Sequence, residues 1–248
     1  MPEEPYAQAV ALLRRSRRAV ALTGAGISTP SGIPDFRSPG TGLWSRVDPM
    51  EVASIQAFRR NPAAFYRWYG ASARQMFAAR PNPAHHALAE LERRGILRAV
   101  VTQNIDRLHQ RAGSRRVLEL HGNCQTAHCL RCGAEVEAYP LLERFLEMEE
   151  VPHCSCGGLI KPDVVLFGEM LPPDVLEEAR REIAHGDLLL VVGSSLVVTP
   201  AAELPWLAVQ SHTPLILCNR DATWADPYAA AILRDDVARS LPALLEGW

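Results

Sequence analysis

The sequence predicts an α/β fold: an open, mostly parallel sheet covered by helices on both faces, with a smaller, partly helical, cysteine-bearing subdomain beside it. Three observations carry this expectation. Apolar runs of strand length recur along the chain, helix-like segments separate them, and two stretches, 41–80 and 123–160, break the alternation. With 248 residues, 48% of them apolar, the chain can bury the core of one large domain carrying an insert.

Taken in order, a helix-like segment at 5–16 leads into the first strand, "AVALTG" at 19–24. The stretch 41–80 reads as helices rich in aromatics: Trp44, Phe58, Phe65, Tyr66, Trp68 and Tyr69. The helix at 83–94 starts on Pro83, where a first turn tolerates proline, and Asn82 stands where a cap is needed. Strands "RAVVTQ" at 98–103 and "RVLELHG" at 116–122 come next, followed by the stretch that holds four cysteines. A helix at 173–184, opening on Pro173, feeds "DLLLVVGSS" at 187–195. A helix at 200–210, the strand "PLILCN" at 214–219 and a last helix near 237–246 complete the pattern. The division expected is a core of 1–37, 81–122 and 161–248 with a small subdomain of 38–80 and 123–160.

Composition narrows the function. A net charge of −2 argues against a broad footprint for nucleic acid, and no direct nucleic-acid binding is expected. The first residues, "MPEEPYAQAV", lack a basic segment leading into an apolar region, and no apolar run approaches the ~18 residues of a membrane span. A cytoplasmic protein with no membrane partner is expected, so its six cysteines should be thiols or metal ligands rather than disulfides. Of 26 lysine and arginine residues, Lys161 alone is a lysine.

"CLRC" sets Cys129 and Cys132 three apart, and "CSC" sets Cys154 and Cys156 two apart. Two close pairs separated by a short excursion match the ligand arithmetic of a tetrahedral Zn²⁺ site. Gly133 and the pair Gly157–Gly158 follow the two knuckles, where the backbone must turn tightly. The second pair is one residue short of C-x-x-C, so His153 with Cys156 is the lesser alternative. Four protein ligands leave no position for water, which makes the zinc structural. Cys124 and Cys218 are spare.

"VALTGAGISTPSGIPDFRS" runs a strand into Gly24 and Gly26, the place where backbone amides approach a pyrophosphate. Thr29 stands where a dinucleotide fingerprint wants its third glycine, and no second strand leads to an acidic residue about 20 residues on. A hydride-transferring dehydrogenase is therefore disfavoured. "TQNIDRLH", "LHG" and "GSS" sit at the C-terminal ends of predicted strands, so Asn104, Asp106, His121 and Ser195 face the same crevice as the 24–37 loop. Taken singly, Asn104 and Asp106 could be helix caps, His121 a turn histidine and Ser194–Ser195 a capping pair.

Together these segments resemble the sirtuin family of the bacterial type, the NAD-dependent protein lysine deacylases. The likeness runs through "GAGISTPSGIPDFR", "PNPAH", "TQNIDRLHQRAG", "ELHGN", the two cysteine pairs, "KPDVVLFGE", "GSSLVVTPAAELP" and "CNRD". It implies a Rossmann-like sheet with a zinc-binding, partly helical subdomain and a cleft between them. It also implies a function: removal of acetyl (acyl) groups from protein lysines, giving nicotinamide, O-acetyl-ADP-ribose and free lysine. Under the resemblance, Gly24, Ala25 and Gly26 lie along the NAD pyrophosphate, and Asp35, Phe36 and Arg37 form a loop that closes over the ribose and excludes water. Gln103 holds the ribose hydroxyls, while Asn104, Ile105 and Asp106 line the nicotinamide pocket. His121 is the general base on a ribose hydroxyl. Gly193, Ser194 and Ser195 contact the adenosine half, with Asn219, Arg220, Asp221 and Val237 near adenine.

The acetyl-lysine peptide is implied to bind as an added strand on "VVLFGE", through Val164, Val165, Phe167, Gly168 and Glu169. Relatives that prefer acidic acyl groups carry Y-x-x-R; here Tyr66 matches the tyrosine and Tyr69 replaces the arginine. Arg67 lies about 100° around a helix from Tyr66, and Arg74 is two turns on. An apolar, aromatic acyl pocket walled by Tyr66 and Tyr69 is expected. A mono-ADP-ribosyltransferase or NAD glycohydrolase on the same scaffold is the enzymatic alternative; a non-catalytic NAD-binding module has no need of His121 beside Asn104 and Asp106.

Overall fold

The computed structural model describes residues 4–36, 40, 42, 43 and 47–246. Arg37 and Trp44, both singled out above, lie outside the described residues. The strands are β1 Ala19–Thr23, β2 Leu97–Thr102, β3 Val117–Glu119, β4 Gly122–Cys129, β5 Glu135–Glu137, β6 Ile160–Val164, β7 Leu188–Val192, β8 Leu215–Cys218 and β9 Ala231–Leu233. The helices are α1 Glu4–Arg15, α2 Pro49–Val52, α3 Ile55–Arg60, α4 Pro62–Ala78, α5 Pro83–Arg93, α6 Leu108–Ala112, α7 Ala138–Met148, α8 Pro173–Ala184, α9 Pro205–Gln210 and α10 Val237–Glu246.

Six strands form one parallel sheet in the order β3-β2-β1-β7-β8-β9. The connections run outward in one direction from β1 and in the other from β7, so the switch point lies between these two strands. Crevices at switch points, beyond the carboxyl ends of the strands, are where open α/β sheets bind ligands. β1 and β7 are buried along their whole length, as apolar strands covered on both faces must be. On one face Leu190 and Val192 pack with Leu13 of α1, Leu88 of α5 and Leu241 of α10. On the other, Leu189 and Val191 pack with Ala179 and Ile183 of α8 and Ala208 of α9. Each such aliphatic side chain contributes about 1.5–3 kcal/mol by leaving water.

The excursions build the second unit. β5-β4-β6 is a small antiparallel sheet, and α3, α4 and α7 pack against it through Phe58, Phe65, Tyr66, Leu142 and Phe145. Three of its helices start where side chains supply an acceptor for the unpaired first amides: Asp48 for α2, Ser54 for α3 and Asn61 for α4. Asn82 caps α5, accepting the Ala84 amide at 2.9 Å, while its own amide donates to His85 Nδ1.

Two sequence expectations are corrected, and one strand lies where none is expected. The run 116–122 is not one strand: only Val117–Glu119 joins the large sheet, and Gly122, at φ 72°, turns the chain into β4. The helix at 200–210 is a single turn, Ala201–Glu203, followed by α9, because Pro205 has no amide to continue the first piece. The edge strand β9 is only three residues long and carries no readable alternation.

Candidate active site

A cleft of about 1030 Å³ opens at the switch point, between the carboxyl edge of the large sheet and the small subdomain. It is lined by Gly24, Ala25, Gly26, Asp35, Phe36, Gln103, Asn104, Ile105, Asp106 and His121, by Gly193, Ser194, Ser195, Asn219, Arg220, Asp221 and Val237, and by Tyr69, Val164, Val165, Phe167, Gly168 and Glu169. Segments spread over more than 200 residues of sequence thus meet in one cavity: those after β1, β2, β3, β7 and β8 end strands on one edge of the large sheet, and α4 and the segment after β6 face them from the small subdomain.

The floor is a close approach of two turns. A Cβ on Gly24 would lie 2.8 Å from the Gly193 carbonyl, and one on Gly26 2.8 Å from Gly193 Cα. Side chains there would push the turns apart, so glycine is demanded by contact. The Gly24 amide donates to the Val192 carbonyl (3.1 Å) and the Gly26 amide to the Gly193 carbonyl (2.8 Å). Among the described residues the Ala25 amide has no such bond, and it borders the cleft. That is the geometry of a backbone cradle for an anionic oxygen. Beside it, the Asn219 side chain clasps Ser194 in both directions: Oδ1 accepts the Ser194 amide at 2.9 Å and Nδ2 donates to its carbonyl at 2.7 Å. Gln103 Nε2 donates to Ser194 Oγ at 2.9 Å.

A buried polar knot lies under the opposite end. Ser28 Oγ donates to Asp106 Oδ2 (2.7 Å) and accepts from Asn104 Nδ2 (3.1 Å), which also donates to the Gly24 carbonyl (3.1 Å). Asp106 Oδ1 accepts the Leu108 amide (2.9 Å), so the carboxylate both caps α6 and faces the knot. Burial pushes the Asp106 carboxyl above its ordinary range, against the pull of the Leu108 and Ser28 hydrogen bonds. Beneath it, the rings of His85 and His109 meet edge to face at 4.9 Å. Burial drives their basicity down, to about 2 and about 4 respectively, so both are neutral spacers. Ser28 was missed in the sequence; its signal was a hydroxyl in "GAGIS" at a position that the strand-to-loop turn buries.

His121 follows β3 and is half-buried at the cleft wall. Its Nδ1 lies 2.8 Å from the Gln103 carbonyl. A carbonyl only accepts, so the proton of the neutral ring sits on Nδ1 and Nε2 is the basic nitrogen.

The acyl-pocket expectation is corrected at Tyr66. Its ring is packed among Phe58, Phe65 and Phe145, and its hydroxyl donates to the Ile160 carbonyl at 2.9 Å. α4 turns Phe65, Trp68, Tyr69, Ser72 and Met76 to the cleft, the i, i+3, i+4, i+7, i+11 face of one helix. Tyr66 is one position off that face. Arg67 and Arg74 pair with Glu149 (3.0 Å) and Glu143 (2.9 Å) on the outer surface, and neither lines the cleft.

In the small subdomain the Sγ atoms of Cys129, Cys132, Cys154 and Cys156 all lie within 4.8 Å of one another. The Cys129–Cys156 and Cys132–Cys154 distances are 3.5 and 3.7 Å. A tetrahedron with ~2.3 Å metal–sulfur bonds has edges of about 3.8 Å, so four thiolates fit Zn²⁺ here. The Arg131 and Gly158 amides each approach a sulfur at 3.4 Å. His153 is outside the cluster, donating from Nδ1 to the Val151 carbonyl at 2.8 Å. Cys124 and Cys218 are buried and unreactive, their thiols pushed up to about 12 by burial.

A cleft that joins a backbone anion cradle to a basic imidazole is the site of a nucleotide-dependent group-transfer enzyme. A sequence model of the Sir2 family matches residues 24–200. The chain is 49% identical over 246 residues to "NAD-dependent protein deacylase 2" of Archaeoglobus fulgidus, spanning 98% of this chain and 96% of that one. It superposes with a TM-score of 0.92 on a Sir2 structure with deacetylated p53 peptide and 3′-O-acetyl-ADP-ribose, at 44% identity and with 96% of each chain covered. A second Sir2 structure, with p53 peptide and NAD⁺, matches at a TM-score of 0.90 and 44% identity, covering 100% of this chain and 98% of that one. The chain belongs to the Sir2 family.

Proposed function

We propose that this protein is an NAD-dependent protein lysine deacetylase. The observation that carries the reading is His121, with its proton fixed on Nδ1 by the Gln103 carbonyl, in one cleft with the Asn104–Asp106 knot and the glycine cradle. NAD supplies an ADP-ribosyl group whose bond to nicotinamide is exchanged for one to the acyl oxygen of the substrate. The Ala25 amide and the glycines on either side of it would hold the pyrophosphate, and Ser194, Asn219, Arg220, Asp221 and Val237 the adenosine. Asn104 and Asp106 would bind the carboxamide, Ile105 would pack against the ring, and Gln103 would hold the ribose. Asp35 and Phe36 would close over the site. His121 Nε2 would take the proton from a ribose hydroxyl.

The four thiolates would hold one zinc ion away from the cleft, as a fold element rather than a catalyst. The acylated peptide would lie as an added strand along Val164–Glu169. We assign 1–37, 81–121 and 165–248 to the nucleotide-binding core and 38–80 with 122–164, which carries β4, β5 and β6, to the small subdomain. No described helix is long and apolar enough to cross a membrane; cysteines without disulfides suit a cytoplasmic setting, and the net charge of −2 argues against nucleic-acid partners.

Mass spectrometry of an acetyl-lysine peptide incubated with and without NAD tests the reading. Deacetylated peptide with O-acetyl-ADP-ribose is expected only with NAD. ADP-ribosylated protein, or free ADP-ribose with the peptide unchanged, would replace this reading by the transferase or glycohydrolase.

A further inference from the structure

Lys161 is buried, and the reaction gives it no task. It lies on β6 with its side chain 5% exposed. An ammonium has three hydrogens to donate, and three oxygens meet this one: the Val164 carbonyl at 2.7 Å, the Pro162 carbonyl at 3.1 Å and Glu169 Oε2 at 3.1 Å. A charge taken out of water is tolerated only when paired and fully hydrogen-bonded. Here two carbonyls accept its hydrogen bonds and the Glu169 carboxylate pairs with its charge.

The partners are not scattered. Val164 and Glu169 are the two ends of the segment assigned to the substrate. The same Glu169 oxygen accepts the Leu166 amide at 2.8 Å, and the Glu169 amide donates to the Leu166 carbonyl at 3.0 Å. Between these ties, the Val165 amide donates to the His121 carbonyl at 2.9 Å. The Phe167 amide donates to the Ala53 carbonyl (2.9 Å), and the Phe167 carbonyl accepts the Ile55 amide (3.0 Å). Among the described residues no hydrogen bond engages the Val165 carbonyl or the Gly168 amide, and both residues border the cleft. The segment is thus fastened around the main-chain groups it leaves open.

We propose that Lys161 is a positioning residue for the acylated peptide: with Glu169 it forms a buried clip that holds Val164–Glu169 in the shape the substrate main chain pairs with. This rests on the deacetylase reading above. It also gives Glu169 a further part, since its Oε2 is taken up by Lys161 and the Leu166 amide. An arginine could not replace Lys161, because a planar guanidinium cannot direct its donors at three converging oxygens as a compact ammonium does.

Steady-state kinetics on one acetyl-lysine peptide, with the zinc-loaded enzyme, separate the possibilities. Lys161→Met is expected to raise the peptide KM by about tenfold or more while leaving kcat and the NAD KM within about threefold, the pattern of lost substrate binding. Lys161→Arg should behave like Lys161→Met. If Lys161→Met leaves Glu169 too costly to bury, Lys161→Met/Glu169→Gln removes both charges and should show the same rise in peptide KM. An inactive wild-type enzyme would refute the deacetylase reading itself. An active wild type with an unchanged peptide KM in a folded variant would overturn the clip. So would a parallel loss in kcat and NAD affinity, or failure of both variants to fold, because the pair would then be general support for the fold.

Discussion

His121 and Asp106 sit in one cleft but answer to different physics. His121 Nδ1 is held by the Gln103 carbonyl, so His121→Ala removes a base without exposing a buried charge. Deacetylation should fall by ~10²–10⁴-fold, while NAD binding, measured by calorimetry, stays near wild type. Turnover at the wild-type rate would remove His121 from the mechanism. Asp106 is the reverse case: burial raises its carboxyl pKa, so the ionised form costs stability in the native state. The native protein binds this proton more readily than the unfolded chain. The penalty is therefore absent below the ordinary carboxylate range and grows as pH rises through the shifted value. Asp106→Asn removes that charge. Its melting temperature relative to wild type should be higher at pH 7.5 than at pH 4.5, whereas nicotinamide release is abolished at both. A melting difference that does not change with pH would mean that Asp106 titrates as an exposed aspartate does.

Elements decide which side chains reach the cleft. α4 presents Phe65, Trp68, Tyr69 and Ser72 and keeps Arg67 and Arg74 in outer ion pairs. A carboxylate at the end of an acyl chain would meet aromatic rings and no guanidinium, and burying it unpaired costs several kcal/mol. On one peptide, kcat/KM for acetyl-lysine should exceed that for succinyl-lysine by about 10²-fold or more; a preference for succinyl-lysine would place an arginine in the pocket. The cysteine knuckles are an element of another kind. A Cβ on Gly158 would come within 2.5 Å of Cys129 Sγ, so only glycine lets the second knuckle close this tightly on the first. Cys129→Ala should lose zinc, measured per chain, and lower the melting temperature, because metal-binding energy at such a site is folding energy. A zinc-free variant that melts like wild type would make the cluster incidental. These elements also show how far the sequence could be read. Paired cysteines, glycines after a strand and a capping asparagine are legible because local chemistry dictates their spacing. The facing of Tyr66 was not, since it depends on how α4 is rotated against Phe145 of α7. Nor was β9, three residues paired at an edge, nor Ser28, whose partner Asp106 is 78 residues away.

For the whole molecule, the order β3-β2-β1-β7-β8-β9 turns separate loops into one crevice, and that much follows from strands alternating with helices. The register of the small sheet does not follow, because it is set by Gly122 and by contacts with α4 and α7. Of the molecule's 26 lysine and arginine residues, the sole lysine is locked in the clip behind the cleft, and guanidinium groups supply the other side-chain cations. Guanidinium groups stay protonated at any physiological pH and do not take acyl groups as a free amine does. A protein that strips acyl groups from lysine amines thus offers no accessible lysine of its own. Reactive acyl donors in its surroundings leave its side-chain charges as they are, and no molecule of it competes with the intended substrate for another molecule's cleft.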